Sequence, residues 1–152
     1  MNTLINTKVN TRPETTYVVI DSRFRDMDKY PSVNSFVVNF DTPFKEVISI
    51  EMVYAVYDKL GTEKYVNVYI PEISSFLKSN NNAVEGAFTQ LPLIQHLNEY
   101  TSQQFRSIKV FDPPLAKLNR FTLNITSEKG LPYPFHDYFM RFEIVWAKHV
   151  NS

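Results

Sequence analysis

Apolar and polar residues alternate with a period of two along most of the chain, the pattern of strands with one buried face. The longest such stretch, 47–57, sets Ile48, Ile50, Met52, Tyr54 and Val56 on one face and Ser49, Glu51, Val53, Ala55 and Tyr57 on the other. In a second, Phe121, Leu123 and Ile125 alternate with Thr122, Asn124 and Thr126. A third spans 138–147, where Met140, Phe142, Ile144 and Trp146 oppose Arg141 and Glu143. Shorter strands are expected at 17–20, 35–40, 65–70 and 107–111, and a further one at 87–93 is confined to an edge or ended by Pro92. The runs at 47–57 and 65–70 flank Leu60-Gly61 and read as a hairpin. Pro113-Pro114 closes the strand at 107–111 and leaves 115–119 as a connection. Behind Pro71, residues 72–78 have room for one or two helical turns. Residues 93–100 read equally as helix or loop.

Seven or eight short strands without a long amphipathic helix argue for a sandwich or barrel rather than alternating β/α units. The expected fold is all-β: a single jelly-roll β-sandwich of about eight antiparallel strands, with an immunoglobulin-like sandwich as competitor. Residues 1–16 stand apart. Asn-Thr recurs at 2–3, 6–7 and 10–11, with too few large apolar groups to bury, so this stretch is expected to be a polar N-terminal arm ahead of one jelly-roll domain at 17–150.

Composition narrows the chemistry. A length of 152 residues fits one domain with its own core. The absence of cysteine removes disulfides, thiolate catalysis and Cys-ligated metals. Sixteen basic and 16 acidic residues leave no net charge, so nucleic acid is not an expected partner. The scarcity of glycine, three residues in all, argues against phosphate-cradling loops and dinucleotide fingerprints. No apolar run approaches the ~20 residues of a membrane helix, and the first residues lack the features of a secretory signal. His96, His136 and His149 lack metal-ligand spacing, and no nucleophile elbow is present. Asp21, Asp26 and Asp28 are interleaved with Arg23, Arg25 and Lys29, a pattern of a self-satisfied loop more than of a catalytic carboxylate pair. No enzymatic activity, cofactor or metal is expected.

The informative segment is the long connection from Asp21 to Asn34. Asp21 and Ser22, just after a strand, can cap backbone donors. Arg23 and Arg25 can each grip a carboxylate or carbonyls with a planar fork. Tyr30-Pro31 biases the chain to an extended path. The segment reads either as a self-knit loop closing one end of the sandwich or as a contact surface for a neighbouring subunit.

Asp21-Ser-Arg-x-Arg-Asp26, Lys29-Tyr-Pro-x-x-Asn34, Phe36-x-Val and the strand Val47-x-x-Ile-x-Met-Val-Tyr-Ala resemble the opening of small virion proteins of nucleocytoplasmic large DNA viruses. Phe111-Asp-Pro-Pro-Leu-x-x-Leu118, the alternating strand after it, the Gly130 turn and the closing strand are similar to the second half of those proteins. The region 71–105 has no counterpart. The resemblance implies a single jelly-roll capsid component made in the host cytoplasm and located in the virion capsid. It would be either the penton protein, forming pentamers at five-fold vertices, or a minor capsid protein under the major shell. Its implied partners are copies of itself, the major capsid protein and other minor capsid proteins. It implies a contact or structural loop of Asp21, Ser22, Arg23, Phe24, Arg25, Asp26, Tyr30, Pro31 and Asn34. Phe24 stands where those proteins more usually have aspartate, and is expected to pack.

Two other classes are weighed against this. A receptor- or carbohydrate-binding sandwich of a fibre or spike would stack sugars on Tyr133, Tyr138 or Trp146. A cupin-like metal enzyme would need histidines converging from distant segments.

Overall fold

The structure is a computed structural model that describes residues 10–59, 61–73, 77–133 and 135–150. The alternating segments form seven antiparallel strands among the described residues: β1 (Thr11–Asp21), β2 (Ser35–Asp58), β3 (Tyr65–Tyr69), β4 (Thr89–Pro92), β5 (Leu97–Thr101), β6 (Ser107–Ser127) and β7 (Phe139–His149). β2 bends where its pairing with β6 slips between Asn39 and Phe44. Counted as two at that bend, it makes eight strands. One sheet then runs β1, β7, second half of β2, β5; the other runs first half of β2, β6, β3, β4. This is the strand order of a jelly roll, as the spacing of apolar segments predicts. The hydrogen-bonded path β1-β7-β2-β6-β3-β4 is unbroken because β2 and β6 take part in both sheets.

The core lies between the sheets. Phe142 of β7 meets Phe121 of β6 at 5.0 Å between ring centroids, and Phe36 meets Tyr138 at 6.1 Å. Ile50, Met52, Leu123, Ile125, Met140 and Ile144 are fully buried around them. β7 follows its expected alternation, with Met140, Phe142 and Ile144 inward. β2 does not. Val47, Ile50, Met52, Ala55 and Tyr57 face the core, whereas Ile48, Tyr54 and Val56 are only half-buried. Register shifts between Val47 and Ser49 and between Met52 and Tyr54 each move the buried set to the other parity, as bulges do.

Four further expectations change. The segments at 47–57 and 65–70 are not a hairpin: β3 pairs with β4 and β6, so the chain crosses from one sheet to the other between them. Residues 97–101 form strand β5, neither helix nor loop. β6 runs on through Pro113 and Pro114, which sit in a register shift where the ladder needs no N–H from them. β1 starts at Thr11, so residues 11–16 of the expected arm are a strand paired with β7; residues 1–9 lie outside the described residues. The helical turns expected over 72–78 are realised as one 3-10 turn at Pro71–Ile73, and 74–76 lie outside the described residues. The turn expected at Lys129-Gly130 is present, with Gly130 at φ 83° and its N–H donating to the Ser127 carbonyl.

Candidate functional site

The Asp21–Asn34 loop leaves β1 at one corner of the sandwich and is built almost wholly from its own side chains. Asp21 caps a 3-10 turn, Ser22–Phe24: its Oδ1 accepts from the Arg23 amide at 3.0 Å. The Arg23 guanidinium returns to the same carboxylate through Nε and Nη2, at 3.0 and 2.7 Å. Ser22 is fully buried and ties the loop to the start of β7. Its Oγ donates to Asp137 Oδ1 and accepts from the Tyr138 amide, both at 2.9 Å, while its own N–H donates to the Tyr138 carbonyl.

Arg25 is the strut of the loop, with only 8% of its side chain exposed. Nη1 donates to Ser22 O at 2.7 Å, Nε to Tyr30 O at 2.9 Å and Nη2 to Pro31 O at 3.1 Å. One planar fork thus binds three carbonyls across the loop, a task that a point charge cannot perform. Asp26 Oδ1 accepts from the amides of Asp28 and Lys29, and its carbonyl accepts from Tyr30 N at 2.7 Å. Tyr30 packs against the core, and the Asn34 carbonyl accepts from Ile125 N at the entry to β2.

The nine residues expected as a contact or structural loop therefore come together, and all but Phe24 are used in holding the loop or joining it to the sheets. Phe24 does not pack into the protein. It is 82% exposed, with Arg23 against its ring at 5.6 Å. Met27, which sequence reasoning did not select, is 55% exposed on the same loop. Phe24 also borders a concavity of about 500 Å³ with Val19, Asp21, Arg25, Phe36 and Val38. Val19 and Tyr17 project from the outer face of β1, both more than half exposed. β1 is the end strand of the sheet order, so its second edge is not paired among the described residues. The result is an apolar, aromatic strip on a rigid corner beside an open strand edge. Asp137 and Tyr138, the distant anchors of the loop, carry no local signal that sequence alone could have used.

Arg23 holds the Asp21 carboxyl below its ordinary 3.8, chiefly through their side-chain hydrogen bonds and against a smaller opposing effect of burial. A depressed carboxylate contributes its stabilisation above the ordinary value and loses it as pH falls through the lowered one. Solvent screens this pair, so global stability hardly moves. The expected observation is local: the Arg23 amide resonance titrates below pH 3.8, and Arg23→Gln moves that titration back toward 3.8. An unchanged midpoint in the variant would remove Arg23 as the cause.

Elsewhere, Tyr133 and Tyr138 are buried in the core, which corrects their selection as exposed sugar-stacking rings; Trp146 is half-buried, with Nε1 donating to Thr16 Oγ1 at 3.1 Å. His149, expected in a solvated tail, is the last residue of β7 and pairs with Thr11. His136 bonds Asp58 at 2.5 Å. No group of three or more metal-ligating side chains gathers among the described residues, and no helix of these residues is long and apolar enough to cross a membrane.

Residues 4–56 match the model of a family of unknown function, DUF5901. That span holds β1, the charged loop and nearly all of β2. Comparison with curated proteins found no match. Among solved structures, the crystal structure of the infectious bursal disease virus VP2 subviral particle is similar over 91% of this chain, with 11% identity and a TM-score of 0.31. The chain spans 33% of that protein's length.

Proposed function

We propose that this protein is a non-enzymatic structural component of a virus capsid, a single jelly roll that assembles as a penton pentamer at the five-fold vertices. The observation that carries the reading is the exposure of Tyr17 and Val19 on β1 and of Phe24 and Met27 on the adjoining loop, at a corner that Arg25 and Ser22 tie down. Apolar side chains presented on a fixed frame beside an unpaired strand edge are the features of a surface that a neighbour covers. Where such a patch meets a different patch on the next copy, the contact is heterologous and closes into a ring when the rotation allows. The ordered series of sequence resemblances to virion proteins supports the same role, and the jelly-roll strand order is compatible with it.

Native mass spectrometry of the purified chain tests this. The expected species is a pentamer. Phe24→Ser is expected to weaken association by about 2 kcal/mol, roughly 30-fold, if the strip lies at the contact. Because Phe24 is mostly in solvent, the same change should leave unfolding stability within about 0.5 kcal/mol. A wild-type monomer that associates only with the major capsid protein would overturn the penton role in favour of the minor capsid role. A monomer that binds neither would overturn both.

A further inference from the structure

We propose that copies of this chain join edge to edge: the free edge of β1 in one copy pairs antiparallel with the free edge of β5 in the next, giving one sheet that continues across the contact. This rests on the pentamer reading and supplies the second patch that a heterologous ring contact needs. Hydrogen bonds at the strand ends show which groups each edge presents. Val150 N donates to Asn10 O at 2.8 Å and Ser22 N to Tyr138 O at 3.0 Å, and the β1–β7 register between them has no shift. Bonded pairs recur every second residue in an antiparallel ladder. The even-numbered residues of β1 therefore bond β7, and the odd-numbered ones turn their backbone groups to the free edge. For β5, Lys59 N donates to His96 O at 2.9 Å and Ser102 N to Val53 O at 3.1 Å, around an unshifted β2–β5 register. Leu97, Glu99 and Thr101 thus turn away from β2. The two strands end the same sheet, and neither has a second strand partner among the described residues.

The two edges match in backbone, side chains and direction. Pro13 takes an outward position without an N–H, so the unbroken run of donors on β1 starts at Thr15. Setting Val19 against Leu97, Tyr17 against Glu99 and Thr15 against Thr101 leaves Pro13 beyond the end of β5. Each pair exchanges two bonds except the last, because Thr101 O already accepts from Gln104 N and Phe105 N. Members of a bonded pair share a face, and here that face is the outer one, since these are the outward side chains of both strands. Val19 then lies beside Leu97 and Thr15 beside Thr101, apolar with apolar and threonine with threonine. The apolar surface runs on past the ladder. Ile94 and Leu97 are 72% and 64% exposed, and Ile94 precedes β5 where the exposed Phe24 and Met27 follow β1. Strand sense agrees too. β1, β7, β2 and β5 alternate, so β5 runs opposite to β1, and a neighbour rotated about an axis along the strands offers its β1 antiparallel to this β5. Pairing β1 with β1 would instead be isologous and stop at a dimer.

The chain has no cysteine, so an engineered pair reports the contact without background. Within one copy, positions 19 and 97 sit on opposite end strands of the sheet, three strand spacings or about 14 Å apart. A disulfide spans roughly 7 Å between Cα atoms at most, so a Val19→Cys/Leu97→Cys disulfide has to join two copies. After mild oxidation, denaturing electrophoresis without reductant should show a ladder of covalent species up to five chains, and none for either single variant. Hydrogen exchange on the unaltered chain is the second measurement. The amides of Tyr17, Val19, Leu97 and Glu99 should exchange at least about tenfold more slowly in the pentamer than in protein diluted to monomer. A pentamer by native mass spectrometry with neither cross-links nor slowed exchange would overturn the edge pairing and leave the pentamer reading standing. Dimers from Val19→Cys alone would overturn it in favour of β1 against β1. A chain that is monomeric at every concentration would overturn both.

Discussion

Phe142→Ala is expected to destabilise the protein by about 3–5 kcal/mol, the usual consequence of emptying an aromatic site in a well-packed core. Phe142 is fully buried on β7 and touches the ring of Phe121 from the opposite sheet, with the Phe88 ring also near, 6.2 Å between centroids. Its removal leaves a void bounded by two sheets. Those sheets cannot close onto it freely, because β2 and β6, paired with each other, carry the backbone from one layer into the other. At about 2–4 °C per kcal/mol for a chain of this length, the melting temperature should fall by roughly 6–20 °C. Thermal and urea unfolding followed by circular dichroism will measure it. A loss below 1 kcal/mol would mean that the two sheets do not pack through this residue.

The second large effect concerns the charged loop. Arg25→Ala removes three donors at once: the Tyr30 carbonyl loses its part-buried side-chain partner, the Ser22 carbonyl keeps only the residue 25 amide, and the exposed Pro31 carbonyl is left to water. The expected loss is about 2–4 kcal/mol, less than three isolated hydrogen bonds because water can enter at the Pro31 side. Arg25→Lys should recover less than half of this, since an ammonium lacks the planar fork that spans the loop. Hydrogen exchange gives the spatial test. Amides of residues 22–31 should lose protection in both variants, while those of β3 and β4 stay as they are. Equal stability of Arg25→Lys and the parent protein would show that charge alone matters at this position.

The fold class was legible because a strand with one buried face writes its geometry directly as alternation, and β7 is the clearest case. What failed has local physical causes. β5 buries Asn98 and Tyr100 and exposes Leu97 and Glu99, so its polarity gives no inward face to read. Asn98 is admitted to the interior because its side chain accepts from the amides of Ile94 and Gln95 and donates to the Gln95 carbonyl. The face assignment in β2 failed at two bulges, each a shift of one residue that composition does not mark. Pro113-Pro114 signalled an end, yet a register shift lets a strand pass through two residues without N–H groups.

In the loop, residue type was informative and partner was not. Arg23 does pair with Asp21, as the alternation of charge implied, whereas Arg25 is satisfied by backbone carbonyls. Nothing local foretold that Ser22 would bond to Asp137 and Tyr138, more than a hundred positions away. Phe24 misled for a related reason. Aromatic residues are normally driven inward, and its exposure follows from a frame already completed by Asp21, Ser22 and Arg25.

The two bent strands have a mechanical consequence. A load that pulls one sheet away from the other does not act on side-chain packing alone. It is taken up as tension along the covalent backbones of β2 and β6, each of which is hydrogen-bonded into both layers. Separation therefore requires whole ladders to shear in concert rather than peel one rung at a time. A domain strapped in this way should yield abruptly, as one unit, under an outward force.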